Sequence, residues 1–124
     1  MKIHTTPLAG LSVVDITPHV DNRGQFARLF CDSELTSLMG ARQIVQINHS
    51  LTTAIGAVRG MHYQLPPHAE MKLVRCLKGR VWDVALDLRH GSPTFLHWHA
   101  EELSAVNNRM MVIPEGFAHG FQVL

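Results

Sequence analysis

Apolar and polar positions alternate with a period of two through most of this chain. The segment Arg80 to Leu88 (RVWDVALDL) is the clearest case. Trp82, Val84, Leu86 and Leu88 fall on one face, and Asp83, Ala85 and Asp87 on the other. Side chains on a strand repeat every two residues, so this pattern predicts a strand with its apolar face in the core. The Asp83 face then sees solvent or lines a polar cavity. Ile44 to His49 and Met71 to Leu77 alternate in the same way. Leu11 to Ile16, Gln25 to Phe30, Leu96 to Glu102, Met110 to Ile113 and Phe117 to Leu124 read as further strands. Lys78-Gly79 reads as a tight turn before Arg80. Only Ser33 to Met39 predicts a helix, with Asp32 or Ser33 as its cap and Gly40 as its stop. Many short strands broken by Gly and Pro turns predict an all-β sandwich or barrel. A doubly wound α/β sheet needs helices between its strands, and the pattern supplies none.

A length of 124 residues leaves room for one domain, residues 1–124, and no second core. A formal net charge of +1, with its cations scattered, excludes a nucleic-acid footprint. No apolar run approaches membrane-spanning length, and Met1 to Gly10 lacks a signal-peptide pattern. The two cysteines, Cys31 and Cys76, form no CxxC and no disulfide framework. They are expected to pack as small apolar side chains in a reducing cytoplasm. The chain stops at FQVL, an apolar strand pattern with no polar finish, so it is expected to be truncated at its C-terminus.

Nine histidines draw attention to candidate chemistry. In IVQINHS, Gln46 and Asn48 share a polar face that points to solvent or into a ligand cavity, where amides serve as donors and acceptors at once. In VRGMHYQ, Arg59 and His62 are three apart, so a regular strand sends them to opposite faces. A bulge at Gly60 brings them to the same side. Lys72 shares a face with Val74 and Cys76 and matters chemically only if that face is interior. His119 follows a Pro-x-Gly turn in IPEGFAHGF. His97 and His99 share a face, but two imidazoles are too few for a metal site, and no metal or other cofactor is expected.

These motifs carry a family likeness. The segments Asp21 to Gly24 (DNRG), Gln46 to Ser50 (QINHS), Val58 to Arg89 and Ile113 to Phe121 (IPEGFAHGF) closely resemble the dTDP-4-dehydrorhamnose 3,5-epimerase family, in the same order and over nearly the whole chain. The resemblance implies a cupin-type jelly roll, of which this chain is the N-terminal and central part. PEGFAH also resembles the second cupin signature, P-x-G-x-x-H. The first signature supplies a His-x-His pair to a metal, and here it reads His62-Tyr63-Gln64. An amide at a position that wants imidazole argues against a metal-dependent cupin oxygenase.

The family inverts C3 and C5 of a dTDP-linked 4-keto-6-deoxy sugar, in cell-surface polysaccharide synthesis. Both carbons are α to the ketone, so removing a proton gives an enolate that is reprotonated from the other face. By position, the resemblance makes His62 the base and Lys72 the cation beside the keto oxygen. It makes Arg23 and Arg59 holders of the pyrophosphate or sugar. Gln46, Asn48 and His119 match substrate-contacting residues, Phe26 matches the nucleotide site, and Asp83 supports His119. Family members are generally homodimers, and one is expected here.

Two departures stand out. Arg28 occupies a position where the family usually carries a substrate-contacting Glu, which points to an altered nucleotide or sugar preference. The family's acid Tyr and the Asp behind its base have no counterparts before Leu124. Tyr63 follows His62 directly, so on a strand it points the other way. The alternatives to an epimerase for the dTDP sugar are therefore a non-catalytic cupin-type nucleotide-sugar binder and an epimerase for a different nucleotide sugar.

Overall fold

The computed structural model describes all 124 residues and contains ten strands and one helix. The strands are β1 (Lys2–Thr5), β2 (Ser12–Asp15), β3 (His19–Asp21), β4 (Gly24–Phe26), β5 (Val58–His62), β6 (Lys72–Arg75), β7 (Arg80–Asp87), β8 (Trp98–Ser104), β9 (Arg109–Ile113) and β10 (Phe117–Val123); the helix is α1 (Asp32–Met39). Every strand pairing is antiparallel. One sheet runs β1-β2-β9-β6, the other β5-β10-β7-β8, and β3-β4 is a separate hairpin. The fold is the all-β jelly roll with one short helix that the sequence predicts.

Alternation assigns each face its layer. Val13, Met111 and Ile113 of the first sheet pack against Ala85, Leu103 and Phe117 of the second, with Leu8 and Leu11 completing the core. The opposite face of the first sheet, Val14, Met110 and Val112, is covered by Leu35 and Met39 of α1. These two are four residues apart and share one helix face. Lys72 pairs with Ile113 and Val74 with Met111. Val74 and Cys76 pack on the inter-sheet core, so the Lys72 face is the interior one.

The expectation for β7 is inverted. Asp83, Ala85 and Asp87 are each 0% exposed, whereas Trp82, on the apolar face, is 42% exposed. Burial of the two carboxylates is possible because each is met by donors. His119 bonds to Asp83, and Arg89, Ser92 and Thr94 bond to Asp87. Hydrophobicity alone cannot foresee partners that lie on other strands and loops.

Other differences are local. Ile44 to His49 forms no strand: its backbone joins no ladder, and Val45 and Ile47 stand 86% and 88% exposed. The Gln25 to Phe30 strand stops at Phe26. β1 and β3 lie where no strand was predicted. Cys31, rather than Asp32 or Ser33, is the helix N-cap; its carbonyl accepts from Leu35 N–H at 3.0 Å, and its side chain makes no cap bond. Gly40 ends the helix at a positive φ of 58°, which glycine adopts freely.

Candidate active site

The site begins with the pairing of β5 and β10. His62 lies opposite His119 and Arg59 opposite Phe121, with a register shift between them. Two residues of β5, Gly60 and Met61, therefore face one residue of β10, Gly120. This is the bulge foreseen from the Arg59–His62 spacing. It places Arg59 and His62 on the side of His119. Only glycine fits at 60. Its φ is 107°, and a Cβ there would lie 2.6 Å from both Gly120 Cα and the His119 carbonyl oxygen.

The rings of His62 and His119 meet edge to face, with centroids 5.9 Å apart. Behind them His119 Nε2 is 2.8 Å from Asp83 Oδ1. Asp83 sits diagonally across the sheet, since His119 pairs with Ala85. Both Asp83 and His119 are buried. Asp83 Oδ2 is also buried and has no hydrogen-bond partner. Burial pushes the Asp83 carboxyl above its ordinary range, against the opposing pull of His119.

Lys72 approaches His62 from the facing sheet. Desolvation lowers the proton affinity of His62 most; the positive charge of Lys72 and then His119 lower it further. Glu70 opposes them. Lys72 Nζ lies 3.6 Å from Glu70 Oε1, and the Lys72 side chain is largely buried. The cluster thus combines an accessible imidazole held toward its neutral form, a largely buried ammonium, and a second imidazole tied to a buried carboxylate. A neutral imidazole takes a proton, and a fixed cation stabilises an oxyanion.

The remaining candidates are exposed, and all but Arg59 lie on other segments. Arg59 donates from Nε to Thr52 Oγ1 at 2.7 Å. Asn48 donates weakly to Gln46 at 3.5 Å, so the two amides lie together although their segment forms no strand. Arg23 folds back on Asp21 within the β3-β4 hairpin, at 2.6 Å. Phe26 and Arg28 line a cavity of about 200 Å³ with Met1, His19 and Glu34. Arg28 is paired to Glu34 at 2.7 Å. The structure therefore gathers His62, Lys72, His119 and Asp83 and leaves Arg23, Phe26, Arg28, Gln46 and Asn48 outside that cluster. Glu70 is the residue sequence reasoning missed. Its signal was present, since it stands two residues before Lys72.

A second cavity, of about 210 Å³, contains none of the candidates. Ion pairs of Arg109 with Asp15 and Glu101 run along it and tie the two sheets together, while His4 and His99 stand 3.0 and 2.9 Å from Asp15 and Glu101. His99 is thus bound to a carboxylate of its own strand.

A family model described as dTDP-4-dehydrorhamnose 3,5-epimerase matches residues 5–124. The chain is 45% identical to the dTDP-4-dehydrorhamnose 3,5-epimerase of Shigella flexneri, over 100% of this chain and 68% of that protein. It is 46% identical to that of Sinorhizobium fredii, over 100% of this chain and 64% of the relative. A crystal structure of a dTDP-6-deoxy-D-glucose-3,5-epimerase from Legionella pneumophila, in complex with dTDP-4-keto-L-rhamnose, superimposes with a TM-score of 0.92 at 41% identity. That match covers 99% of this chain and 65% of the other. The chain thus spans about two thirds of the length of the relatives it matches.

Proposed function

Because the chain belongs to the dTDP-4-dehydrorhamnose 3,5-epimerase family, we propose that the protein epimerises a dTDP-linked 4-keto-6-deoxy-hexose at C3, C5 or both. The observation that carries this reading is the juxtaposition of His62, Lys72 and the His119–Asp83 pair around the β5 bulge.

Each residue has work suited to its surroundings. His62, held toward neutrality, takes the proton from the carbon α to the ketone. The electron pair moves into the C4 carbonyl, and Lys72 stabilises the resulting enolate oxygen. Reprotonation of the carbon from the opposite face of the ring inverts the centre. Asp83 holds His119 in one orientation against substrate. Arg59 and Arg23 suit the pyrophosphate, because a guanidinium fork matches phosphate oxygens. Phe26 and Arg28 serve the nucleotide end, and Gln46 and Asn48 hold sugar hydroxyls.

Residues 1–124 are, in this reading, the N-terminal and central part of one cupin domain. The enzyme works as a homodimer in the cytoplasm. No helix here is long and apolar enough to cross a membrane.

The test is deuterium exchange. Full-length protein is incubated with dTDP-4-keto-6-deoxyglucose in D2O between about pH 6 and 8, spanning the histidine range. Deuterium is followed at C3 and C5 by NMR. The expected result is incorporation at C3, C5 or both, lost by at least about 10²-fold in His62→Ala. Absence of exchange in the wild-type protein defeats the epimerase reading. Exchange that survives His62→Ala defeats the choice of base.

A further inference from the structure

We infer that Glu70 is a positioning residue of this site, whose carboxylate fixes the Lys72 ammonium beside His62 and balances its charge. The inference rests on the epimerase reading above.

The placement comes from alternation along one segment. Met71 and Leu73 pack on the helix side of their sheet, while Val74 packs on the inter-sheet core. Lys72 shares the side of Val74, and Glu70, two residues earlier, reaches it: Glu70 Oε1 lies 3.6 Å from Lys72 Nζ. The Lys72 side chain is 18% exposed and that of Glu70 46%. The pair therefore spans the mouth of the site, with the cation inside and the anion at the rim.

A largely buried lysine needs a counter-charge, and other carboxylates of the barrel have partners of their own. Asp83 belongs to His119, and Asp87 to Arg89. Glu115 belongs to Arg42. Lys72 is the ion-pair partner of Glu70, and Glu70 is that of Lys72. The charged and titratable groups that act on His62 are Lys72 from β6, His119 from β10 with Asp83 of β7 behind it, and Glu70. Arg59 lies on the strand of His62 itself. Of the groups that act directly on His62, Glu70 alone favours its protonated form.

Two consequences separate this role from a structural one. Removing the Glu70 charge disfavours the His62 imidazolium, so His62 titrates at lower pH. It also frees the Lys72 ammonium, which matters most where negative charge develops on the substrate, so kcat falls more than KM rises. A partly exposed pair adds little to stability, so variants at 70 are expected to fold.

The experiment compares full-length wild type with Glu70→Gln and Glu70→Asp. The His62 ring is titrated by NMR without substrate, and kcat and KM for solvent exchange are measured across pH. Glu70→Gln is expected to move the His62 titration down by about 0.5 pH unit, the size of a single charge about 6 Å away screened as in water. It is expected to lower kcat about tenfold with KM within about twofold. Glu70→Asp should restore part of both. An unmoved His62 titration, or a kcat equal to wild type, overturns the inference. Wild-type protein without exchange activity defeats the epimerase reading instead, and the substrate-free titration still decides the role of Glu70.

Discussion

Replacing Gly60 by alanine tests how the site is built. The new Cβ would lie 2.6 Å from Gly120 Cα and 2.6 Å from the His119 carbonyl oxygen. Carbon atoms rest about 3.5–4.0 Å apart, so β5 and β10 must separate locally by about 1 Å. Both offending atoms are backbone, and neither can rotate away. Two costs combine. A residue with a side chain at φ 107° carries strain of about 1–3 kcal/mol. Overpacking adds about 1–3 kcal/mol. The expected loss is therefore about 2–6 kcal/mol. Gly79→Ala is the control, because Gly79 has φ 74° with nothing within 4 Å of its Cβ position. That variant should suffer the strain alone. Urea denaturation of both, read at the midpoint with unchanged slope, separates the close approach from the dihedral. Solvent exchange should fall more steeply in Gly60→Ala, because the separated strands carry His62 and His119. Equal destabilisation in the two variants would refute the argument that close approach makes glycine necessary at 60.

Asp87 accepts five hydrogen bonds, from the backbone N–H, Nε and Nη2 of Arg89 and from Ser92 and Thr94. Asp87→Ala strands the Arg89 guanidinium and should cost about 3–5 kcal/mol in chemical denaturation. Burial pushes the Asp87 carboxyl upward, but Arg89, Ser92 and Thr94 together hold it well below its ordinary 3.8. Its stabilisation is therefore full above about 3.8 and lost as pH falls below that, so Asp87→Asn should flatten the acid limb of the stability profile. Asp83 has the opposite sign. Its folded pKa is raised, so its contribution is present below 3.8 and lost as pH rises through the folded value. Wild type should thus lose ground to Asp83→Asn over that rise, and parallel profiles would refute the assignment. Lys72→Met should lower kcat for exchange about 10²–10³-fold with a smaller change in KM. Its loss removes a cation that suppresses His62 protonation, so the acid limb of the rate profile should move to higher pH.

Much of the architecture was legible along the chain. β7, β8, β9, β10 and α1 lie where the period of the side chains put them, and Lys78-Gly79 turns β6 into β7. The bulge at Gly60 was legible too, because Arg59 and His62 are separated by an odd number of positions with a glycine between them. Such features depend on a residue and its near neighbours, so local steric rules are enough to read them.

What stayed hidden depended on partners outside the strand that carries the pattern. The buried face of β7 carries two aspartates because His119 reaches Asp83 from 36 positions away and Arg89, Ser92 and Thr94 close around Asp87. Alternation separates two faces but is silent on which of them finds partners. Ile44 to His49 has the same alternation as a strand, yet no ladder forms along it. Backbone pairing needs a second chain segment at the right distance, and no local pattern supplies one. His62 meets His119 across two strands, and the charge of Lys72 acts on His62 from the other sheet. The period of the chain thus selects the elements and their two faces. The packing of one sheet on the other selects which face becomes interior, and so which carboxylates and imidazoles share a site.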